Sequence, residues 1–492
     1  MLGREIDKMG VREDTHKLMP IPMPTLGIHN EVPGTELNPR ALVNASNMQV
    51  ENGVLAQRFG YPAYGTNTNL VGTPYLFFPF TSFAGVTTLY VATSNGIYYL
   101  DGAGAWQESI AITNFVTTYK YPSMCSIQDK CLATSGEKGI YNVTDDAQLA
   151  GNWTSYYPRI ILPYKFRLIG FGEYKSGIVT PLRIRYSDLG AYNTTGAGYF
   201  IDWIDGDGIE IVGAIPLGPY IAIFKDKSAG LMDWIGGSSI FSLTIQLPST
   251  GLLAQRAVVN VGGKLYFMSH DNIYSWDGGR EPVPIGDPIK DLWLADMSAD
   301  LAKASFAMYV AHKGQVYFFY LKGTTASYET KYFMYDIKSK SWWRGQLGDA
   351  IISANYVYYN GYKALLAIKT KTPVQFDHAT KQDNGKAITS FIESPDFVIS
   401  EEEYIMRRKR YYGFKFDMKG SAVDTVKFEH SIDEGDNYVD GGNLTIAATY
   451  DRVKKDKKFV DRKARVRLTH STDDERWFLR FYGIDYTMRE KK

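Results

Sequence analysis

Asp205-Gly206-Asp207-Gly208 has the composition of a calcium loop, because Asp-x-Asp-Gly presents several oxygens to a hard cation. An EF-hand loop starting at Asp205 needs Gly at its sixth position and Glu at its twelfth, where the chain has Glu210 and Pro216. The pattern therefore predicts a plain turn between Trp203-Ile204 and Ile209–Val212. The histidines (His16, His29, His270, His312, His378, His430, His470) stand singly, with no HxH, HExxH or Cys-His spacing to hold a metal. Cys125 and Cys131 have no further ligands nearby and read as free thiols. No GxSxG and no GxxxxGK[ST] occurs. The sequence thus predicts no catalytic residue, no metal, no cofactor and no enzyme activity.

Ser431-Ile432-Asp433-Glu434-Gly435-Asp436-Asn437-Tyr438 resembles an Asp-box, the Ser-x-Asp-x-Gly-x-Thr-Trp turn of sialidases and other β-proteins, with Asn437 and Tyr438 departing at the last two positions. Its expected role is a hairpin turn in which Asp satisfies backbone donors. Two basic clusters remain as candidate partner contacts. One is Arg407, Arg408, Lys409 and Arg410; the other runs from Arg452 to Arg467 and includes Lys454, Lys455, Arg462 and Arg465. Either could meet phosphates or an acidic protein. Asp451, Asp456 and Asp461 dilute the second cluster, so a solvated strand face is its other reading.

What must position these residues follows from composition and punctuation. With 54 Lys+Arg against 53 Asp+Glu the net charge is +1, which argues against a whole-chain electrostatic reader of nucleic acid. A chain of 492 residues that is 45% hydrophobic and 14% aromatic can fill large cores and is not disordered over most of its length. No apolar h-region follows Arg4, Glu5, Asp7 and Lys8, and no apolar run is long enough to span a bilayer. A soluble chain without secretory signal or membrane anchor is expected.

Residues 1–52 are rich in Pro and Gly without sustained period and predict an extended arm that orders only on a neighbour. From Val54 onward short apolar-aromatic runs close on Gly, Asn or Asp, the mark of an all-β chain. Helical composition is confined mainly to Leu294–Ser305. One phrase recurs: a few apolar residues, an Asp or Asn turn, and usually a nearby Trp. It occurs at Gly96–Gly102 with Trp106, Gly139–Asp145 with Trp153, Asn272–Gly278, Tyr332–Ile337 with Trp342 and Trp343, and more weakly at Val374–Asp377. Repeated hairpins of this kind predict an irregular β-propeller over residues 53–395, a large sandwich array being the alternative. Beyond the acidic run Glu401–Glu403 the phrase disappears, and period-2 strands predict a β-sandwich-like platform over residues 396–492.

The order of these features resembles a family. The run Asn44–Val50 leads into Gly53-x-Leu55-x-x-Arg58-x-Gly60-Tyr61, followed centrally by Ile215–Phe224 with Trp234, Gly251–Arg256 (GLLAQR) and Tyr266–Ser269, and at the end by Arg480–Asp485. Together they resemble the tail-hub or nozzle proteins of short-tailed bacteriophages, also called packaged-DNA stabilisation proteins. The resemblance implies a virion tail protein assembled in the host cytoplasm, a homo-hexameric ring below the portal and adaptor. Its other neighbours would be tail fibres or spikes and a tail plug. Genomic DNA would pass through its lumen without sequence-specific binding. It also implies that the C-terminal domain and arm form a platform facing the adaptor, where the basic clusters would serve ring or adaptor contacts. A carbohydrate-binding or cleaving propeller of a tail fibre or spike is the alternative, motivated by the aromatic excess and the Asp-box-like turn. A propeller used as a protein-interaction scaffold is a third.

Overall fold

The computed structural model describes residues 17–66, 69–116, 121–149, 151–175, 178–237, 239–397 and 408–488. It is nearly all β, and it divides into two units. One contains residues up to Gly27, Val32–Gln57 and Thr389 onward; the other contains Ile28–Glu31 and Arg58–Ile388.

Besides the two-stranded pair Gln382–Asp383 and Lys386–Ala387, the described residues of the larger unit form a series of seven small antiparallel sheets in chain order. Their lead strands are Pro74–Thr81, Ser123–Ile127, Tyr157–Tyr164, Ile211–Leu217, Val258–Val261, Phe306–Val310 and Ile351–Tyr358. Each lead strand packs beside the next, and the seventh packs beside the first. The recurring phrase marks one place in these sheets, the turn that leaves the third strand. There Asp101 accepts the backbone N–H groups of Ala103 and Ala105 at 2.9 and 2.8 Å, Asp277 that of Gly279 at 3.1 Å and Asp336 that of Ser339 at 2.8 Å. The accompanying Trp106, Trp153, Trp276 and Trp342 are buried. The turn residue thus satisfies the backbone while the indole supplies apolar area to the core.

The first six sheets have four strands each from their own stretch of chain, but the seventh has three: Ile351–Tyr358, Tyr362–Ile368 and Pro373–Phe376. Its open edge is covered by Pro62–Tyr64, where Ala63 bridges Val374 antiparallel, Tyr64 N donates to Pro373 O at 2.8 Å and Gln375 N to Pro62 O at 3.0 Å. The opening motif explains how this segment is held. Arg58 grips Asp383 bidentately with both side chains buried, and it also donates to the Phe59 and Gln346 carbonyls. Burial works against the Arg58 charge, but Asp383 outweighs it and its pKa goes up. Gly60 runs so close to the chain that a Cβ there would lie 1.9 Å from Gln382 O. Tyr61 is fully buried, and its hydroxyl accepts from Asp349 N at 3.1 Å.

The helical expectation holds in part. The helix is Lys290–Asp296, anchored by the buried Trp293; the chain is extended at Met297 and resumes as a 3-10 turn, Ala299–Ala304. Asp296 ends the helix where a carboxylate opposes the macrodipole, and Lys322, Lys331 and Arg344 converge on it. Burial alone would raise its pKa, but these cations outweigh it and hold the carboxyl at about 2.

The sequence predicts an extended arm over residues 1–52 that orders only on a neighbour; the first 16 lie outside the described residues, and the rest are strands and loops built largely into the smaller unit. The neighbour on which the N-terminal segment orders is the C-terminal part of the same chain. Lys17–Ile21 pairs with Trp477–Met488, Asn44–Ser46 pairs with Ser390–Glu393, and the hairpin Met48–Glu51/Val54–Gln57 joins the edge of the strand at Phe478-Leu479. That hairpin turns on Asn52-Gly53, both at positive φ, the combination that suits a two-residue hairpin. The boundaries expected at 52/53 and 395/396 fall instead at Gln57/Arg58 and Ile388/Thr389. The physical reason is that Gln57 bonds Ser390 in one unit while Arg58 pairs Asp383 in the other.

Within this unit one sheet runs in the order Asp451–Asp461, Lys409–Gly420, Trp477–Met488, Val54–Gln57, Met48–Glu51. The other runs Val439–Ile446, Asp424–Ser431, Arg465–His470, Ser390–Glu393, Asn44–Ser46. Their facing side chains share an aromatic core in which Phe428 lies 5.0 Å from Phe414 and 5.8 Å from Phe416, and His430 stacks 4.8 Å from Phe459. Burial, with the nearby Lys457 cation, lowers the pKa of His430 and favours its neutral form.

Candidate contact surface

The eight candidate contact residues belong to the smaller unit, and the strand pleat sorts those that are described. Arg407 lies outside the described residues. On Lys409–Gly420 the side chains alternate, with Tyr411, Phe414, Phe416 and Met418 buried while Arg410, Tyr412, Lys415, Asp417 and Lys419 turn to the other face. On the edge strand Asp451–Asp461 the exposed residues Arg452, Lys454, Asp456 and Lys458 alternate with the half-buried Val453, Lys455, Lys457 and Phe459. Register sets Lys415 opposite Lys454 and Asp417 opposite Arg452. A charged outer face results.

On this face Lys454 meets Asp456 at 2.7 Å, Lys415 meets Asp485 at 3.0 Å and Arg480 meets Asp417 at 2.8 Å. Arg408, Arg410, Arg452, Lys458 and the exposed Arg462 have no ion pair among the described residues. The surplus is therefore cationic, suited to an acidic protein surface or to phosphates. Lys455 and Lys457 do a different job, because their Nζ atoms reach the carbonyls of Asn443 and Asp440 on the neighbouring edge strand, both at 3.4 Å. They cap backbone acceptors that the sheet edge leaves open.

Lys409 and Arg465 are not surface groups, which corrects their reading as outward contacts. Lys409 is 1% exposed, its Nζ donates to Arg462 O at 2.6 Å, and burial lowers its pKa. Arg465 donates through Nε and an Nη to the two oxygens of buried Asp396, at 3.1 and 2.8 Å. Both are internal ties. Sequence reading missed three arginine ties of the same kind: Arg465 beside the Asp-box-like turn, Arg467 to Glu393, and Arg476 to Gln57 O and Glu51. The signal for the first two was the strict alternation in Ala464–Leu468, which puts Arg465 and Arg467 on one face; Arg476 had none.

The Asp-box-like turn has the expected backbone role. Ser431 Oγ donates to Asp433 at 2.6 Å and accepts from Gly435 N at 3.0 Å, while Asp433 accepts from the Asn437 backbone and side chain at 3.0 and 2.7 Å. Gly435 sits at φ 95°, and a Cβ there would meet Arg465 at 2.6 Å. The bonds from Ser431 and Asn437 lower the Asp433 pKa from 3.8 to about 2. A depressed carboxyl stabilises above its ordinary value and loses that contribution as pH falls through the depressed one. An NMR titration of the Asp433 carboxyl should therefore find it ionised at pH 3, with the turn loosening only as pH approaches 2. A midpoint near 3.8 would contradict the hydrogen-bonded turn.

The remaining sequence candidates are placed as follows. Lys225 Nζ donates to Asp205 O at 2.7 Å and Ser228 Oγ donates to Asp207 O, so the chain's own donors occupy oxygens of the loop first considered for calcium. Among the described residues no group of three or more His, Cys, Asp or Glu is placed to hold a metal ion, and no helix is long and apolar enough to cross a membrane. Cys125 and Cys131 are buried free thiols on paired strands, and burial raises both pKa values, that of Cys131 to about 12.

The GLLAQR segment, by contrast, reaches almost every sheet of the larger unit. Leu252 N donates to Lys225 O and Leu253 N to Met268 O, each at 3.0 Å. Gln255 donates to Tyr121 O at 3.2 Å and accepts from Arg159 at 3.0 Å. Arg256 donates to Tyr75 O and Ile352 O, at 3.0 and 2.7 Å, and its guanidinium lies 3.6 Å from the centre of the Tyr121 ring. Ala307 N closes the set on Arg256 O at 2.8 Å.

No family model and no curated protein matches the sequence. Solved structures with some likeness include the extracellular domain of a one-component system from B. thetaiotaomicron (TM-score 0.43, 10% identity, covering 86% of this chain and 62% of that one). The computationally designed Ika8 protein gives a TM-score of 0.40 at 9% identity, over 68% and 96% of the two chains. A catalytically inactive virginiamycin B lyase from Staphylococcus aureus gives 0.36 at 12% identity, over 64% and 98%. Likenesses this weak carry no argument about function.

Proposed function

We propose that the chain is a structural subunit of a short-tailed phage virion, a tail hub or nozzle that forms a hexameric ring below the portal and adaptor, retains the packaged genome and conducts it during ejection. In this reading the larger unit is a seven-bladed β-propeller whose last blade is completed by Pro62–Tyr64, and the smaller one is a β-sandwich-like platform. The observation that carries the reading is the employment of the residues on which the resemblance rests. Arg58, Gly60 and Tyr61 fasten the seventh sheet, and GLLAQR ties the lead strands together, so the motifs serve rigidity. A ring wall that must hold pressurised DNA needs a body that does not open. The near-zero net charge suits a lumen that lets DNA slide, because tight phosphate binding would slow ejection.

The cationic outer face of the platform serves ring or adaptor contacts in this reading. Replacing Arg408, Arg410, Arg452 and Lys458 together by Ala should impair joining to tail-less heads, most visibly at low salt where exposed charges are least screened, while the unfolding free energy changes by no more than about 0.5 kcal/mol per substitution. Normal joining by a variant whose particles leak DNA would place this face on the lumen instead. The alternative, a sugar-binding fibre or spike propeller, draws on the exposed pair Tyr358 and Tyr362, at 61% and 63% exposure, whose rings could stack on a pyranose. Binding of host-surface glycan by the isolated chain, lost on Tyr362→Ala, would favour it.

A further inference from the structure

A cavity of about 470 Å³ runs between the seven lead strands of the larger unit, each of which contributes to its wall. Its surface is divided about evenly between polar and apolar atoms, and no Asp or Glu lines it. Its one formal charge is Arg256. The four arginines that are at least nine-tenths buried, Arg58, Arg185, Arg465 and Arg476, each meet a carboxylate, at Asp383, Glu173, Asp396 and Glu51. Arg256 meets none among the described residues. It is half-buried, its Nε is enclosed without a hydrogen-bond partner, its Nη atoms bond the Tyr75 and Ile352 carbonyls, and its other polar neighbour is the Tyr121 hydroxyl, a neutral group. Burial lowers its pKa, with only the hydroxyls of Tyr121, Tyr75 and Tyr328 pulling the other way. The cavity therefore holds a cation whose desolvation is not offset by an anion among the described residues.

Neutral donors lie on the same wall. Asn355 accepts from Phe77 N at 3.1 Å and from Ser353 through Oδ1, which leaves its Nδ2 amide without a bond to the described residues. The Tyr309 hydroxyl has none either. A guanidinium, an amide N–H and a phenol O–H on a partly apolar wall match a small molecule bearing one carboxylate and several hydroxyls. We propose that this cavity binds a small hydroxylated carboxylate, of the size and chemistry of a hexuronate, with its carboxylate on Arg256 and hydroxyls on Asn355 and Tyr309. This site is independent of the tail-hub reading and stands or falls by itself.

The test uses the full chain at low ionic strength, with D-glucuronate, D-glucose and inorganic phosphate as probes in thermal-shift and calorimetric titrations. Glucuronate is expected to raise Tm and to bind at least tenfold more tightly than glucose. Asn355→Asp keeps the acceptor for Phe77 N and supplies an internal counter-ion; it should weaken glucuronate at least tenfold. Arg256→Lys, which retains charge but loses the planar fork, should weaken it less than Asn355→Asp does. No response to glucuronate, or an equal response in Asn355→Asp, would overturn the proposal. Phosphate binding as tightly as glucuronate would overturn the carboxylate assignment, and glucose binding as tightly would overturn the role of Arg256.

Discussion

Arg58→Ala is expected to lower the unfolding free energy of the larger unit by about 3–5 kcal/mol, because it strands the Asp383 carboxylate in a site that is 1% exposed. Stranding one partner of a buried pair costs more than removing both. The double variant Arg58→Met/Asp383→Leu should therefore be more stable than the sum of the single losses implies, with a coupling energy of about 0.5–3 kcal/mol. Urea unfolding followed by Trp fluorescence reads both quantities. The consequence should be local as well as global: amide exchange should quicken first in Pro373–Phe376, the strand that Pro62–Tyr64 covers. Arg58→Ala unfolding at the parent's midpoint, with Pro373–Phe376 equally protected, would show that the opening motif does not fasten the last sheet.

The second large effect is expected at the N-terminal hairpin. Ile21, Met48 and Leu55 are buried in the smaller unit, and each such side chain contributes roughly 1.5–3 kcal/mol. Their sum is comparable to the whole stability of an ordinary domain. Leu55→Ala should thus cost about 2–5 kcal/mol, and in the free, unassembled chain the amides of Met48–Glu51 and Val54–Gln57 should exchange slowly. Fast exchange of these strands in the free chain, with slow exchange only after assembly, would restore the picture of a segment ordered by another molecule.

The two hairpin strands show why the sequence misleads here. Pro and Gly between Pro20 and Pro39 hide the strand period, and Val54–Gln57 is four residues long with its partner strand more than 400 residues further on. Local composition carries no information about such a pairing. In the larger unit the Asp-turn phrase was readable because one local structure, a turn accepting backbone N–H groups above a buried indole, recurs with local chemistry. It identified sheets one, two, five, six and seven. Sheets three and four escaped: their third strands, Ile178–Tyr186 and Ala229–Trp234, do not leave through a turn with that wording. Their cores rest instead on Ile169, Phe171, Ile184, Trp203 and Phe241, and on the Arg185–Glu173 pair stacked against Tyr156. The same limit governed the contact residues. Alternation along Arg452–Lys458 separates outward cations from those that cap the sheet edge, but Lys409 looks like its basic neighbours until its register brings it against Arg462 O.

The proposed tail-hub role requires the chain to assemble into a ring. The most direct test is cryo-electron microscopy of the purified full chain, alone and mixed with tail-less heads of its phage. Six-fold rings with an open lumen, attached at the portal vertex and made of subunits with a seven-sheet body, are the expected result; elongated trimers, or a monomer that never joins the vertex, would contradict it.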